Sequence, residues 1–299
     1  MRTSAKIFWV ESWLVLFDCF CRYFFFSSAE RSKRARLPRI FYDHKPPETN
    51  LSVNIICGHH FALGYSEDRT SSLWSAEHLT RTGLLHAAQL PPDRTRFYPD
   101  ERVPVTSRAQ LDDYRQVPFM PAPLVPHEDM PDLASRIESY ALTNAIPQDP
   151  RFHALSWKSI EDSFRKDVME NEEAYIITGV AYMAALNALG WDQIHVPTHI
   201  WKGMYLPRQK KGKAIACRNQ IPAECRWLDW DELKNVIGVN PFPGFESTEE
   251  RDKAENAAEK DLKDAAVAAT GVATAETSSA SQEVSSAVSA PSPQVVQAE

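Results

Sequence analysis

Between residues 50 and 246 the apolar positions come in short runs with two different periods. VNIICGHHFALGY (53–65) is dense in β-branched and aromatic residues and predicts strand, turn, strand. SLWSAEHL (72–79) alternates and predicts a further strand of the same sheet. From Val117 to Pro131 the period vanishes, with five Pro in fifteen residues. Each Pro removes a donor and biases its predecessor away from helix, so this stretch predicts irregular or extended chain. In SWKSIEDSFRKDVMENE (156–172), Trp157, Ile160, Phe164 and Val168 fall on one face of a helix. AYIITGVAYM (174–183) predicts a buried strand stopped by Gly179, and HVPTHIWKGMYL (195–206) a second. A basic hairpin tip leads to a third, KAIACRNQI (213–221). LDWDELKNVIGV (228–239) predicts a short closing helix, N-capped by Asp229 and C-capped by Gly238. The pattern predicts an α+β fold with a central, mainly antiparallel sheet flanked by helices.

Both ends break the pattern and divide the chain into a leader (1–45), a folded domain (46–246) and a tail (247–299). Phe245 is the last aromatic residue, and the tail that follows is rich in Ala, Ser and Glu. Such a segment buries too little apolar surface to offset its ordering entropy, which predicts disorder. The leader holds an apolar stretch, IFWVESWLVLFDCFCRYFFF (7–26), broken by Glu11, Asp18 and Arg22, and then a basic run, AERSKRARLPR (29–39). A membrane span wants ~20 apolar residues with few charges, so no firm span is predicted. A basic, acid-poor N-terminus fits an organellar presequence, and a mitochondrial location is the expectation.

The net charge of −7 excludes a protein that coats nucleic acid by bulk charge. It divides into +5 over 1–40, −6 over 247–299 and −6 over the centre. The five Cys are scattered, without CxxC, and the Cys217 to Cys225 spacing is no zinc pattern. No disulfide framework is predicted, and a reducing compartment is the default. No internal repeat and no phosphate-cradling glycine loop occurs.

Seen together, the segments resemble the DNA/RNA non-specific endonucleases, the ββα-metal nucleases that include endonuclease G-like enzymes. SEDRTSSLWSAEHLT (66–80) is similar to the opening strands, and FYPDERVPVTSRAQLDDYR (97–115) to the segment that follows. SYALTNAIPQ (139–148), Trp157 with Glu161, ITGVAY (177–182), VPTHIWK (196–202) and PFPGF (241–245) match further motifs in order. The resemblance implies a one-metal phosphodiester hydrolase. Its Asp-Arg-Gly-His motif supplies a His base, and an Asn holds hydrated Mg²⁺. Such chemistry needs a base with a pKa near the working pH and a hard cation with oxygen ligands.

At both places this chain departs from the family. Its matching stretch is Met120-Pro121-Ala122-Pro123-Leu124-Val125-Pro126-His127-Glu128-Asp129-Met130, and the flanking agreements set the register. Pro123 stands where the resemblance places the base, and a proline ring takes no proton. His153 stands at the metal Asn; imidazole suits zinc or iron better than magnesium. Glu161 alone remains of the catalytic group, so no catalytic residue and no cofactor are expected. An active site rearranged around His153 and Glu161, with His127 as a further candidate, would use Mg²⁺ or Zn²⁺. The basic tip, Lys202, Arg208, Lys210, Lys211, Lys213 and Arg218, is the candidate RNA or DNA contact.

The expectation is a nuclease fold that no longer cuts and serves as a binding or structural subunit of a mitochondrial protein or ribonucleoprotein complex. The alternatives are an active metal-dependent endonuclease with a rearranged site, and a regulatory partner of an active paralogue, since the family pairs as dimers.

Overall fold

The structure is a computed structural model that describes residues 39–245, except 93 and 185–186, together with Lys260. Most of the expected leader and tail therefore lie outside the described residues. The elements run β1 (Glu48–Thr49), β2 (Asn54–Cys57), β3 (Phe61–Ser66), β4 (Ser71–Thr80), α1 (Arg81–Gln89), β5 (Met120–Pro123), α2 (Leu133–Glu138), β6 (Ala145–Gln148) and α3 (Pro150–Phe152). They continue with α4 (Lys158–Asn171), β7 (Glu173–Ala181), β8 (Asn187–Leu189), β9 (Ile194–Val196), β10 (His199–Leu206), β11 (Lys211–Arg218), β12 (Cys225–Leu228), α5 (Trp230–Ile237) and β13 (Val239–Asn240). This is the expected α+β fold. Its main sheet has seven strands in the order β12-β11-β10-β7-β4-β3-β2, each antiparallel to its neighbour.

Strand alternation gives that sheet two faces. On one face a row runs across the strands in register: Gly64, Trp74, Gly179, Trp201, Ala216, Arg226. Each indole lies flat on a glycine. A Cβ on Gly64 would come within 2.2 Å of Trp74, and one on Gly179 within 2.4 Å of Trp201. α5 packs on this same face, where Trp230 lies over Gly212. Its ends are those the sequence predicted. Asp229 and Glu232 form a reciprocal capping box, and Gly238 closes the helix at φ +74°. Phe41, Tyr42 and Phe242 complete the cover, with Phe41 edge-on to Trp74 at 6.1 Å. Ile40 and Phe41 are thus core residues that precede the expected domain start at 46.

α4 covers the opposite face. Trp157, Phe164 and Val168 are buried, as their spacing predicted, and Ile160 is half-buried. The strand predicted over 195–206 is two strands, β9 and β10, because Pro197 cannot donate to a ladder and pairing stops there. Several shorter elements were not foreseen, α1 and β12 among them. α1 has only Leu84 and Ala87 buried, too few to make a readable stripe, and β12 is exposed at three of its four residues.

The cysteine expectation is overturned. Cys217 and Cys225 form a disulfide. The β11–β12 hairpin sets them directly opposite each other, with Cα atoms 4.0 Å apart. Eight residues of separation looked arbitrary in the sequence, but it is the spacing that a hairpin folds into cross-strand neighbours. No helix among the described residues is long and apolar enough to cross a membrane.

Candidate functional site

The Pro-rich stretch becomes ordered by pairing with its neighbour. β5 pairs with β6, so that Pro123 faces Ala145 and Met120 faces Gln148. Buried Asn144 then holds the chain just beyond. Its side-chain amide donates to Val125 O (3.0 Å) and Ser139 O (2.8 Å), and its Oδ1 accepts from Val125 N–H (3.0 Å). Pro123 is therefore a fixed, half-buried ring between buried Ala122 and Leu124. It carries no titratable atom and no N–H.

His153 arrives from the other side. Asp149 caps α3 by accepting from Arg151 N–H (2.8 Å) and Phe152 N–H (3.1 Å). A π-turn over His153–Trp157 then carries the chain into α4. His153 Nδ1 lies 2.8 Å from Gln148 Oε1. An amide oxygen only accepts, so Nδ1 carries the proton in this assignment. Burial, and after it the nearby Lys158 charge, lowers the His153 pKa and keeps the ring neutral.

Glu161 is 4% exposed on the face of α4 that meets the sheet. It joins a buried group of charges formed by Glu77 on β4, Asp129 after β5, Arg165 on α4 and Lys202 on β10. Lys202 Nζ donates to Thr178 Oγ1 (2.9 Å) and stands 3.7 Å from Glu77 Oε1. Arg165 donates to Asp129 Oδ1 and to Asp162 Oδ1, both at 2.6 Å. Neither oxygen of Glu77, nor Oε1 of Glu161, has a hydrogen-bond partner among the described residues. Burial, reinforced by Asp129 and opposed by Lys202, pushes the Glu77 pKa up to about 8. Burial, opposed by Lys202, pushes Glu161 up to about 7.

Glu77, Asp129 and Arg165 were not singled out as site residues from the sequence. A signal for this floor was nevertheless present. Glu77 alternates with Leu73, Ser75 and Leu79 along one strand face, and Glu161 is four residues after Trp157 and three before Phe164.

Of the expected basic cluster, Arg208, Lys210, Lys211 and Arg218 are exposed and Lys213 is half-buried. Lys202 is 1% exposed and points into the core, a correction to its assignment as a phosphate contact. It alternates with Ile200 and Met204, both buried, so its strand position decides its direction, not its nearness to the tip in sequence. Arg208 pairs with Glu172 (3.4 Å), Arg218 with Glu224 (3.3 Å), and Lys213 with Asp167. Lys213 also lies over the rings of Phe164 and Trp227. Lys210 and Lys211 are exposed at the tip.

The sequence profile of the DNA/RNA non-specific endonucleases matches residues 43–248. The chain belongs to this family. It is 23% identical over 207 residues to "Nuclease EXOG, mitochondrial" of Danio rerio, covering 61% of this chain and 60% of that one. It is 27% identical over 154 residues to "Endonuclease G, mitochondrial" of Caenorhabditis elegans, covering 48% and 50%. The chain thus spans between half and three-fifths of the length of these two relatives, whose names carry the compartment expected here. Its fold is similar to that in a crystal structure of the EndoG/EndoGI complex. The TM-score is 0.56 at 18% identity, over 62% of this chain and 84% of that chain.

Against the family's hydrated magnesium, the residues present do not fit. His153, where the resemblance places the metal Asn, offers a neutral ring nitrogen, a softer donor than Mg²⁺ prefers. Glu161 is buried, and burial pushes its pKa up to about 7. His127 does not join them. Its Nδ1 lies 2.9 Å from Ser139 Oγ, and its ring stacks on Tyr140 at 3.5 Å. Among the described residues no three His, Cys, Asp or Glu side chains converge as a ligand set.

Proposed function

We propose that this member of the endonuclease family has given up phosphodiester hydrolysis and acts as a binding or structural subunit of a mitochondrial protein or ribonucleoprotein assembly. Pro123 carries the reading. It stands at the general-base position, held in the β5–β6 ladder, with no atom that accepts a proton. A positioned base is worth ~10²–10⁴-fold. The poor match to a hard cation removes charge stabilisation as well. The mitochondrial names of the relatives and the basic leader support the compartment.

The test is cleavage of plasmid DNA and single-stranded RNA by the purified full chain with Mg²⁺, Mn²⁺ or Zn²⁺. No product above the no-protein control is expected. Cutting that disappears in Glu161→Ala would overturn the reading. It would establish instead the rearranged active site, which the retained Glu161, with a pKa near 7 and one unpartnered oxygen, favours as the second reading.

A further inference from the structure

The β8–β9 turn is held from several sides yet presents one ring outward. Leu189 and Ile194, at its base, are buried in a satellite core. Asp192 N–H donates to Asp113 Oδ1 (3.2 Å), Thr70 Oγ1 donates to Asp192 O (2.9 Å), and Gln193 Nε2 donates to Gly190 O (2.9 Å). Gly190 takes φ +64° against Asp113, where a Cβ would come within 2.1 Å of Oδ1. Only glycine fits there. The tip of this fixed turn is Trp191, 95% exposed and the most exposed large hydrophobic among the described residues.

Two neighbouring turns add apolar surface. Leu111, 44% exposed, opens the turn that carries Asp113, and Val105, 69% exposed, opens the turn whose Ser107 hydroxyl reaches Glu67 at 3.5 Å. The charges here are uneven. The cations are engaged locally: Arg69 over the Tyr182 ring at 5.2 Å, Arg108 on Val103 O, and Arg115 with Asp112. Glu67, Asp68 and Asp192 are paired with no cation among the described residues.

We propose that Trp191 anchors a protein–protein interface, and that its partner presents an apolar pocket rimmed by Lys and Arg. A large solvated Trp is the type of residue that dominates binding energy once buried, and the hydrogen-bonded turn that carries it has little backbone entropy left to lose on docking. The carboxylates around it complement a cationic rim. They disfavour nucleic-acid phosphates and anionic membrane surfaces as the occupant. The proposal deepens the subunit reading and rests on it.

The experiment compares tagged full-length wild type, Trp191→Ala and Leu155→Ala on density gradients of mitochondrial lysate from the source organism. Leu155 is a 70%-exposed residue outside this patch. Wild type and Leu155→Ala are expected in heavy fractions. Trp191→Ala is expected to lose the heavy pool by about tenfold or more, with its melting temperature within about 1 °C of wild type. A photo-crosslinking phenylalanine at position 191 should then label one protein, on a peptide bearing Lys or Arg.

If wild type is heavy and Trp191→Ala stays heavy, this inference falls while the subunit reading stands. If wild type itself runs as a light free species, both fall. A crosslink to a second copy of this chain, to RNA or to lipid also overturns the inference.

Discussion

On the α5 face of the sheet, bulk alternates from strand to strand: glycine, indole, glycine, indole. On the α4 face, at the same depth, Glu77, Glu161 and Lys202 are each 4% exposed or less. The first face is held by shape. Its stability comes from apolar area and close contact, which pH and salt hardly touch. The second is held by a balance of charges that cost a great deal to bury and are stable only while paired. Pro123 and His153, which the resemblance sets at the base and metal positions, lie on β5 and in the π-turn, whereas Glu161 belongs to the charged group.

Three measurements sharpen that contrast. Trp201→Ala should produce the largest loss, about 3–5 kcal/mol, as a lower denaturant midpoint at unchanged m-value. A loss below about 1 kcal/mol would show that the row does not hold the sheet. Lys202→Met should cost about 3 kcal/mol, because it strands Glu77 and Glu161. Lys202→Met with Glu77→Leu should recover at least about half of that loss. A double variant no better than the single would mean that Lys202 acts through packing alone.

The smallest effect is the pH dependence. Glu77 and Glu161 have folded pKa values above the ordinary carboxylate value, so their contribution is complete at acidic pH and is lost as pH rises through about 7 to 8. The melting temperature should fall by about 5 °C between pH 6 and pH 9, with about half of that slope removed in Glu77→Gln. A flat profile would mean that the two carboxyls ionise without penalty.

The sequence conveyed the α5 face better than the α4 face. Periodicity located most strands of the sheet, and Asp229 and Gly238 marked the ends of α5, because apolar spacing and caps are local signals. Lys202 was misplaced because it was grouped with the cations of the tip that begin six residues later, whereas its neighbours in space, Thr178 and Glu77, come from other strands. The acidic partners of Arg208, Lys213 and Arg218 were missed for the same reason, since Glu172 and Asp167 belong to α4 and its C-terminal end and Glu224 to the loop before β12. Pro123, His153 and Glu161 were legible only through the resemblance, whose register fixed which residue occupies each chemical position.

The glycine row also sets the thickness of the protein on that side. A ring lying flat on glycine rises far less from the sheet than a side chain standing on its Cβ. Besides short α5, what closes this face is chain from both ends of the described fold. Phe41 and Tyr42 come from one side, and Phe242 and Phe245 from the other, with Tyr42 against Tyr205 at 4.4 Å and Phe242 against Trp230 at 5.1 Å. The two ends are thus parts of one cover, and β1, pairing with β13, ties them together at the seam. A fragment cut for expression at residue 46 would discard half of that cover and leave Trp74 bare on its outer side.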